Sequence, residues 1–471
     1  MRTWNLEYQS LWYDELCTIY YSNPELDFST FIKNVSYEDV HPPLHYILVK
    51  FVFQFFGQSA FTLRIISVIF GVLLVFVMYL IGRLVKNHQL GLTSAALTAS
   101  NYFLIIYSQE GRSYSLLVLL TSVSFLFLIK YYKNRKLKDL LFYTITVTAL
   151  CYTHYYAFFT CFAQVVLVIL LTFPKTNKER ISFLKPWILS WLSVFILYTP
   201  WLSYFLKIAS LEEFWIHSLS PTFFINYFIF YFGDFTLVYT INFLLIGVFS
   251  IWSIIKVISW FKQRGKFNSE ILLILVTFSW VILTLLPPVI KSVTSLPIIF
   301  PRYTIIVVPG ILLALAFTIE LIPLKKIKNA LLLLIVLSSS YHILFISDYY
   351  TAFSKTDFKG MTQWINEKND ENYPIINPYF CHYYEYYLEL YDVKSVRYCP
   401  KEALYKNTPI DSLLAFEPEF KDVSGFWHIG INTKYYNYEE HKKGLFLKEY
   451  YLDQDTIIHR WQVKLYKRTA K

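Results

Sequence analysis

A polytopic all-α membrane protein with a small C-terminal extracytoplasmic α/β domain is the fold class that three observations predict. First, 55% of the 471 residues are hydrophobic and 16% are charged, against about 25% charged in a typical soluble domain. Second, ten apolar runs recur along the chain, most of them long enough to cross ~30 Å of hydrocarbon as helices. Third, the composition changes at residue 348 to charged and Tyr-rich. Aromatic residues make up 20% of the chain, which suits rings gathered at membrane interfaces and in binding cavities. Disorder, a coiled coil and a compact cytosolic enzyme are excluded by this balance.

The runs lie near 61–83, 91–107, 113–130, 139–153, 155–173, 184–206, 241–261, 270–289, 303–323 and 329–347. The fourth and fifth are short and meet at Thr153-His154-Tyr155-Tyr156, so they are expected to be tilted or partly buried. Residues 221–240 are also apolar, but Gly233-Asp234 interrupts them, and a crossing there would invert every later loop. Alternate short loops carry 17 and 4 Lys and Arg residues. The richer set includes Lys130, Lys133, Arg135, Lys136 and Lys138; the poorer set is Arg112, Lys207, Lys291 and Arg302. By the positive-inside rule the richer set is cytoplasmic. The net charge of +10 is therefore largely a topology signal, and nucleic acid is not an expected partner.

An even number of crossings puts residues 1–60 and 348–471 together outside the cytoplasm. Nothing before residue 61 looks able to carry the N-terminus across, so either residues 44–57 do more than lie in the interface or, as favoured, a further helix is expected ahead of this reading frame. The expected domains are 1–347, with an outer loop over 1–60 containing interfacial helices, and 348–471. In the second, a helix near Lys359 to Lys368 precedes strands at Tyr373-Pro-Ile-Ile-Asn-Pro, Gly425-Phe-Trp-His-Ile-Gly-Ile and Arg460-Trp-Gln-Val-Lys-Leu-Tyr. Five cysteines are too few for a disulfide scaffold. Cys151 and Cys161 read as small buried hydrophobes, whereas Cys381 and Cys399 would be able to pair outside the cytoplasm.

The ionisable residues sort to the outer side: Asp14-Glu15, Asp39, His41 and His45, Arg64, Tyr107-Ser-Gln-Glu110-Gly-Arg112, His154-Tyr155, Lys291 and Arg302-Tyr303. Asp14 and Glu15, flanked by Trp12, Tyr13 and Leu16, read as a partly dry carboxylate pair suited to accept a proton, or as a solvated turn heading an interfacial helix. In Asp39-Val-His41-Pro-Pro-Leu-His45 the prolines start a helix. Its two histidines are spaced for a metal, but polar groups at a helix N-terminus are the commoner explanation. Arg112 and Arg302 flank spans at the depth where guanidinium groups hold phosphate, or snorkel to head groups. Lys291 is ambiguous in the same way.

The ordered set SLWYDE, DVHPPLHYILVKFVFQFFGQSAFTLRIISVIFG, YSQEGRSYSL, YTHYYAFF and FPRYTIIVVPGILLALA resembles the polyprenyl-phosphate-sugar-dependent glycosyltransferases of the GT-C superfamily. The likeness is to bacterial family 39, with its protein mannosyltransferase-like, aminoarabinose transferase-like and lipopolysaccharide-core transferase-like members, and it runs from residue 8 to about 323. The resemblance implies a GT-C helical bundle in the bacterial inner membrane that transfers one sugar from a polyprenyl-phosphate donor, with inversion. The acceptor would be lipid A, core oligosaccharide, cell-wall glycan or protein. It implies catalytic roles for Asp14, Glu15 and Glu110 and donor-phosphate binding by Arg302, Tyr303, Arg112 and Lys291. His41, Arg64, Tyr107, His154 and Tyr155 would line the substrate cavity. No metal or cofactor is expected to be required, although Asp14, Glu15 and Glu110 offer oxygen ligands for a divalent cation. The competing readings are a transporter or flippase, which would place polar groups near the midplane, and a ligase or polymerase of lipid-linked glycans.

Overall fold

The computed structural model describes residues 1–173, 175–211, 216, 218–263, 267–376, 382–395, 397–398, 423–431, 450–458 and 461–469. Cys381 and Cys399 lie outside the described residues. The chain separates into two compact units: Met1–Leu6 with Ser22–Asp348, and Glu7–Tyr21 with Tyr349–Lys471.

Helix α1 (Tyr13–Tyr21) belongs to the second unit. The first begins with α2 (Phe28–Glu38), α3 (Leu44–Phe56) and α4 (Ala60–Val85), followed by α5 (His88–Ser100) and α6 (Tyr102–Ser108). Side-chain caps fix several starts: Asp27 accepts from the Ser29 and Thr30 N–H groups, Ser59 from Thr62 and Asn87 from Leu90. Helices α5 and α6 form one span bent by 61° at Asn101. The break leaves carbonyls unpaired at depth, where each costs several kcal/mol. Arg2 covers two of them, donating to the Thr98 and Ala99 oxygens at 2.9 and 2.6 Å, and Asn101 caps α6 through Leu104 N–H.

Next come α7 (Tyr114–Asn134), α8 (Leu137–Cys151), α9 (Ala157–Leu170), α10 (Asn177–Ala209), α11 (Phe223–Phe232), α12 (Thr236–Gln263) and α13 (Ser269–Phe278). A π turn, Ser279–Leu283, joins α13 to α14 (Thr284–Thr294). Pro287 and Pro288 just beyond supply no N–H to the preceding carbonyls, a physical cause for the irregular winding. A 3-10 turn, Pro301–Val307, leads into α15 (Val308–Glu320), and α16 (Lys325–Tyr341) runs into a second π turn at His342–Ile346.

All ten sequence runs are helical. Among the described residues seven helices are long and apolar enough to cross a membrane, eight if the bent pair is one span. The remaining two are α8 and α9, at 15 and 14 residues. At 1.5 Å per residue each reaches only ~22 Å, and the turn between them carries His154. The run at 221–240 is divided as expected: α11 ends at Gly233, whose φ is +87°. A Cβ there would stand 2.5 Å from the His342 ring, and the neighbouring Asp234 meets His342 Nε2 at 2.5 Å.

The second unit adds α17 (Phe358–Lys368), β1 (Ile375–Ile376), α18 (His382–Leu390), β2 (Arg397–Tyr398), β3 (Gly425–Ile431), β4 (Tyr450–Ile458) and β5 (Trp461–Arg468). Sheet order is β2-β1-β3-β5-β4, parallel between β1 and its two neighbours and antiparallel beyond. Trp427 is wholly buried and donates to Asn369 Oδ1 at 3.0 Å. The segment containing α1 is stitched into this unit: Leu11 N–H donates to the Tyr387 hydroxyl at 2.7 Å, and Ser10 Oγ accepts from Lys359 N–H at 3.0 Å.

Candidate functional site

Within the first unit, three elements converge on a cavity of about 260 Å³ whose wall includes His41, His154, Tyr155, Lys291 and Tyr303 among mostly apolar residues such as Phe158, Phe159, Phe205 and Ile298. The first element is the turn before α3. Leu44 N–H donates to the Tyr152 carbonyl at 3.0 Å, which fixes the His-Pro-Pro turn against the α8–α9 turn. The His41 and His154 ring centroids are consequently 5.2 Å apart. The third is the loop and 3-10 turn before α15. Ser292 Oγ accepts from Ile298 and Ile299 N–H, the Tyr156 hydroxyl donates to the Ile298 carbonyl at 2.7 Å, and Tyr231 donates to Thr304 Oγ1 at 2.7 Å. These bonds set Arg302 and Tyr303. The Arg302 guanidinium lies 4.8 Å from the Phe300 ring centroid and 5.8 Å from that of Tyr114.

A charge network backs the cavity. His41 Nδ1 is 2.7 Å from Asp39 Oδ1, the Tyr46 hydroxyl donates to Asp39 Oδ2 at 2.6 Å, and Arg112 donates to the Tyr46 hydroxyl at 3.1 Å. Burial alone would raise the Asp39 pKa, but His41, Arg112 and the Tyr46 hydroxyl outweigh it and hold the carboxyl well below the usual carboxylate range. Asp39 is therefore an anion that orients His41 and Arg112. His154 is 4% exposed. Burial first, then the charges of His41, Arg112 and Arg302, push its pKa well down, so its ring is neutral at pH 7.

Of the sequence-selected residues, the fold thus gathers His41, Arg112, His154, Tyr155, Lys291, Arg302 and Tyr303. Tyr107 joins the edge of the group through Tyr114, whose ring is 5.3 Å from it and 6.3 Å from Tyr303. Arg64 and Glu110 are not among the residues lining the cavity. Arg64 is 1% exposed and donates to the Leu6 carbonyl at 2.5 Å. Glu110 is buried in the α6–α7 turn beside Gly111, where a Cβ would stand 2.2 Å from Leu63 Cγ. Asp14 and Glu15 lie in the second unit, in the first turn of α1, where carboxylates favour the helix dipole. Asp14 is half-buried; Glu15 is fully buried and pairs with Lys355 at 3.5 Å.

Sequence reasoning gave no role to Asp39, Tyr46, Tyr114 or Tyr156. For Asp39 a signal was present, a carboxylate two residues before a histidine at a helix start. The three tyrosines are among 40 in a chain this aromatic.

The model of the dolichyl-phosphate-mannose-protein mannosyltransferase family matches residues 40–204, a span that contains the first two cavity elements. Similar solved structures include ArnT from Cupriavidus metallidurans in the apo state, at 11% identity and TM-score 0.63, covering 98% of this chain and 95% of that one. The same protein bound to undecaprenyl phosphate matches at 11% identity and TM-score 0.59, with the same coverage. The archaeal oligosaccharyltransferase AglB from Archaeoglobus fulgidus, in complex with an inhibitory peptide and a dolichol-phosphate, matches at 12% identity and TM-score 0.52, over 90% of this chain and 66% of that one. No curated protein sequence matches. The chain is a multi-pass membrane protein with the GT-C fold. ArnT and AglB share this fold.

Proposed function

We propose that the chain is an inverting glycosyltransferase that moves a single sugar from a polyprenyl-phosphate donor to an envelope acceptor at the outer face of the cytoplasmic membrane. The observation that carries this reading is the pairing of opposite chemistries in one cavity. Lys291 and two histidines line an otherwise apolar wall, with Arg112 beside His41 and Arg302 beside Tyr303. An amphiphile with a phosphate head and a hydrocarbon tail satisfies both. ArnT binds undecaprenyl phosphate and AglB a dolichol-phosphate on the same fold, which supports a lipid-phosphate ligand here.

In this reading Arg302, with Arg112 and Lys291, stabilises the charge that develops on the phosphate as it leaves the anomeric carbon. Tyr303 and the aromatic wall exclude water. Asp14 removes the proton from the acceptor nucleophile, which attacks from the opposite face; that role, and any for Glu15 and Glu110, rests on the resemblance of the SLWYDE and YSQEGR segments. The distribution of Lys and Arg along the loops supports the outward-facing placement of the active site, and with it an extracytoplasmic second unit.

The test is envelope glycan mass spectrometry on a deletion strain complemented with the native chain or with Asp14→Asn. Loss of one defined sugar mass, restored by the native chain alone, is expected and names sugar and acceptor together. Restoration by an equally abundant Asp14→Asn chain would sink the base role, and an unchanged glycan profile would sink the transferase reading.

A further inference from the structure

We infer that His154 donates a hydrogen bond through Nε2–H to an oxygen of the ligand that fills the cavity. The inference rests on the lipid-phosphate reading above and deepens it by giving one of those histidines a specific donor atom and acceptor. The ring sits where the three cavity elements meet, with centroids 5.2 Å from His41, 5.6 Å from Tyr156 and 4.9 Å from Tyr303. Its Nδ1 accepts the backbone N–H of Tyr156 at 3.1 Å. An accepting imidazole nitrogen carries no proton, so the neutral ring holds its proton on Nε2. That atom is buried and has no hydrogen-bond partner among the described residues, while the side chain forms part of the cavity wall.

Two further features favour an oxygen acceptor over proton transfer. Burial, with His41, Arg112 and Arg302 nearby, disfavours the imidazolium, so the ring is poorly placed to act as a base. The groups facing it are Asp39, paired to His41 on the far side, the two arginines, and the Tyr114, Tyr156 and Tyr303 rings. The neutral donor therefore adds direction to a site whose charge comes from elsewhere. A buried donor left unmatched penalises ligands that lack the acceptor, which makes His154 a specificity-determining residue. Both a phosphate oxygen of the carrier and a hydroxyl of the sugar have the required chemistry.

The test uses the full chain in nanodiscs and measures affinity for undecaprenyl phosphate alone and for undecaprenyl phosphate-mannose, in the native protein and in His154→Asn and His154→Gln. Asparagine retains an oxygen for the Tyr156 N–H but is too short to reach the Nε2 position; glutamine places an amide N–H near it. The expected result is at least a tenfold loss of affinity in His154→Asn at an unchanged thermal midpoint, with partial recovery in His154→Gln. Equal loss for both lipids assigns the bond to the phosphate, and loss confined to the mannosyl lipid assigns it to the sugar; each supports the inference. Native affinity in His154→Asn overturns it, as does a loss common to both variants that tracks a lowered thermal midpoint. Failure of the native chain to bind either lipid overturns the lipid-phosphate reading and the inference together, an outcome distinct from the other two.

Discussion

At the scale of single residues, the same pair of adjacent carboxylates divides into two different environments. Glu15 has no exposed surface and pairs with Lys355, whereas Asp14 on the next position of α1 remains half-buried. Removing one partner of a buried pair costs about 3–5 kcal/mol, while a half-exposed carboxylate carries far less. Glu15→Ala is therefore expected to lower the thermal midpoint, and Asp14→Asn to leave it unchanged while abolishing transfer. Equal midpoints for both variants would refute the division. A second residue-scale consequence is a pH dependence. The His154 pKa is lowered on folding, so below about pH 6.5 the unfolded chain binds the proton and the native state does not. Stability then falls with pH, by up to ~1.4 kcal/mol per unit for one such group. Asp39 is shifted down as a carboxylate, so its contribution is complete above about pH 4 and adds no slope at pH 5 to 7. The midpoint should drop between pH 7 and pH 5, with buried His45 adding to it, and His154→Asn should remove part of that drop; a flat native profile would exclude the assignment.

At the scale of elements, the turn that carries Arg302 and Tyr303 depends on a residue one helix away. Trp280 lies in the π turn between α13 and α14, stacks on Phe125 at 4.1 Å, and donates from Nε1 to the Ile306 carbonyl at 2.7 Å. Trp280→Phe keeps the stack and leaves that buried carbonyl unbonded. The expected effect is a loss of about 1–3 kcal/mol of stability, with weakened lipid-phosphate binding from displacement of the 3-10 turn. A variant that loses stability but binds normally would show the turn to be set elsewhere. None of this coupling was legible in the sequence, because Trp280 is simply an apolar residue within a long apolar run. Helix positions were legible, since hydropathy reports burial in lipid directly, and Gly233 was legible as a stop. The bend at Asn101 was not: its supports come from Arg2 and Gln109, and Gln109 itself donates to the Met1, Arg2 and Trp4 carbonyls. Such long-range caps leave no periodic trace. In the second unit, α17, β1, β3 and β5 fall where the sequence places a helix and alternating strands, whereas α18 and β4 are polar and Tyr-rich and give no such signal.

At the scale of the whole molecule, the cavity residues come from separate regions of the sequence and are assembled by helix packing. The sequence predicts a shared side for them, because loops alternate across a bilayer and charge marks the alternation. Seventeen basic residues lie in one set of loops and four in the other, and three of those four, Arg112, Lys291 and Arg302, line the cavity or adjoin it. Cations on a translocated side work against insertion. On the proposed orientation, three of them at one site is the pattern expected where an anion must be bound. This argument predicts a measurable topology. In a chain whose five native cysteines are replaced by serine, a cysteine at Lys136, in the α7–α8 turn, should react with an impermeant maleimide only after the membrane is opened. A cysteine at Ser220, ahead of α11, should react in intact cells. Labelling of both before permeabilisation, or the reverse order, would overturn the proposed orientation and place the cavity toward the cytoplasmic leaflet.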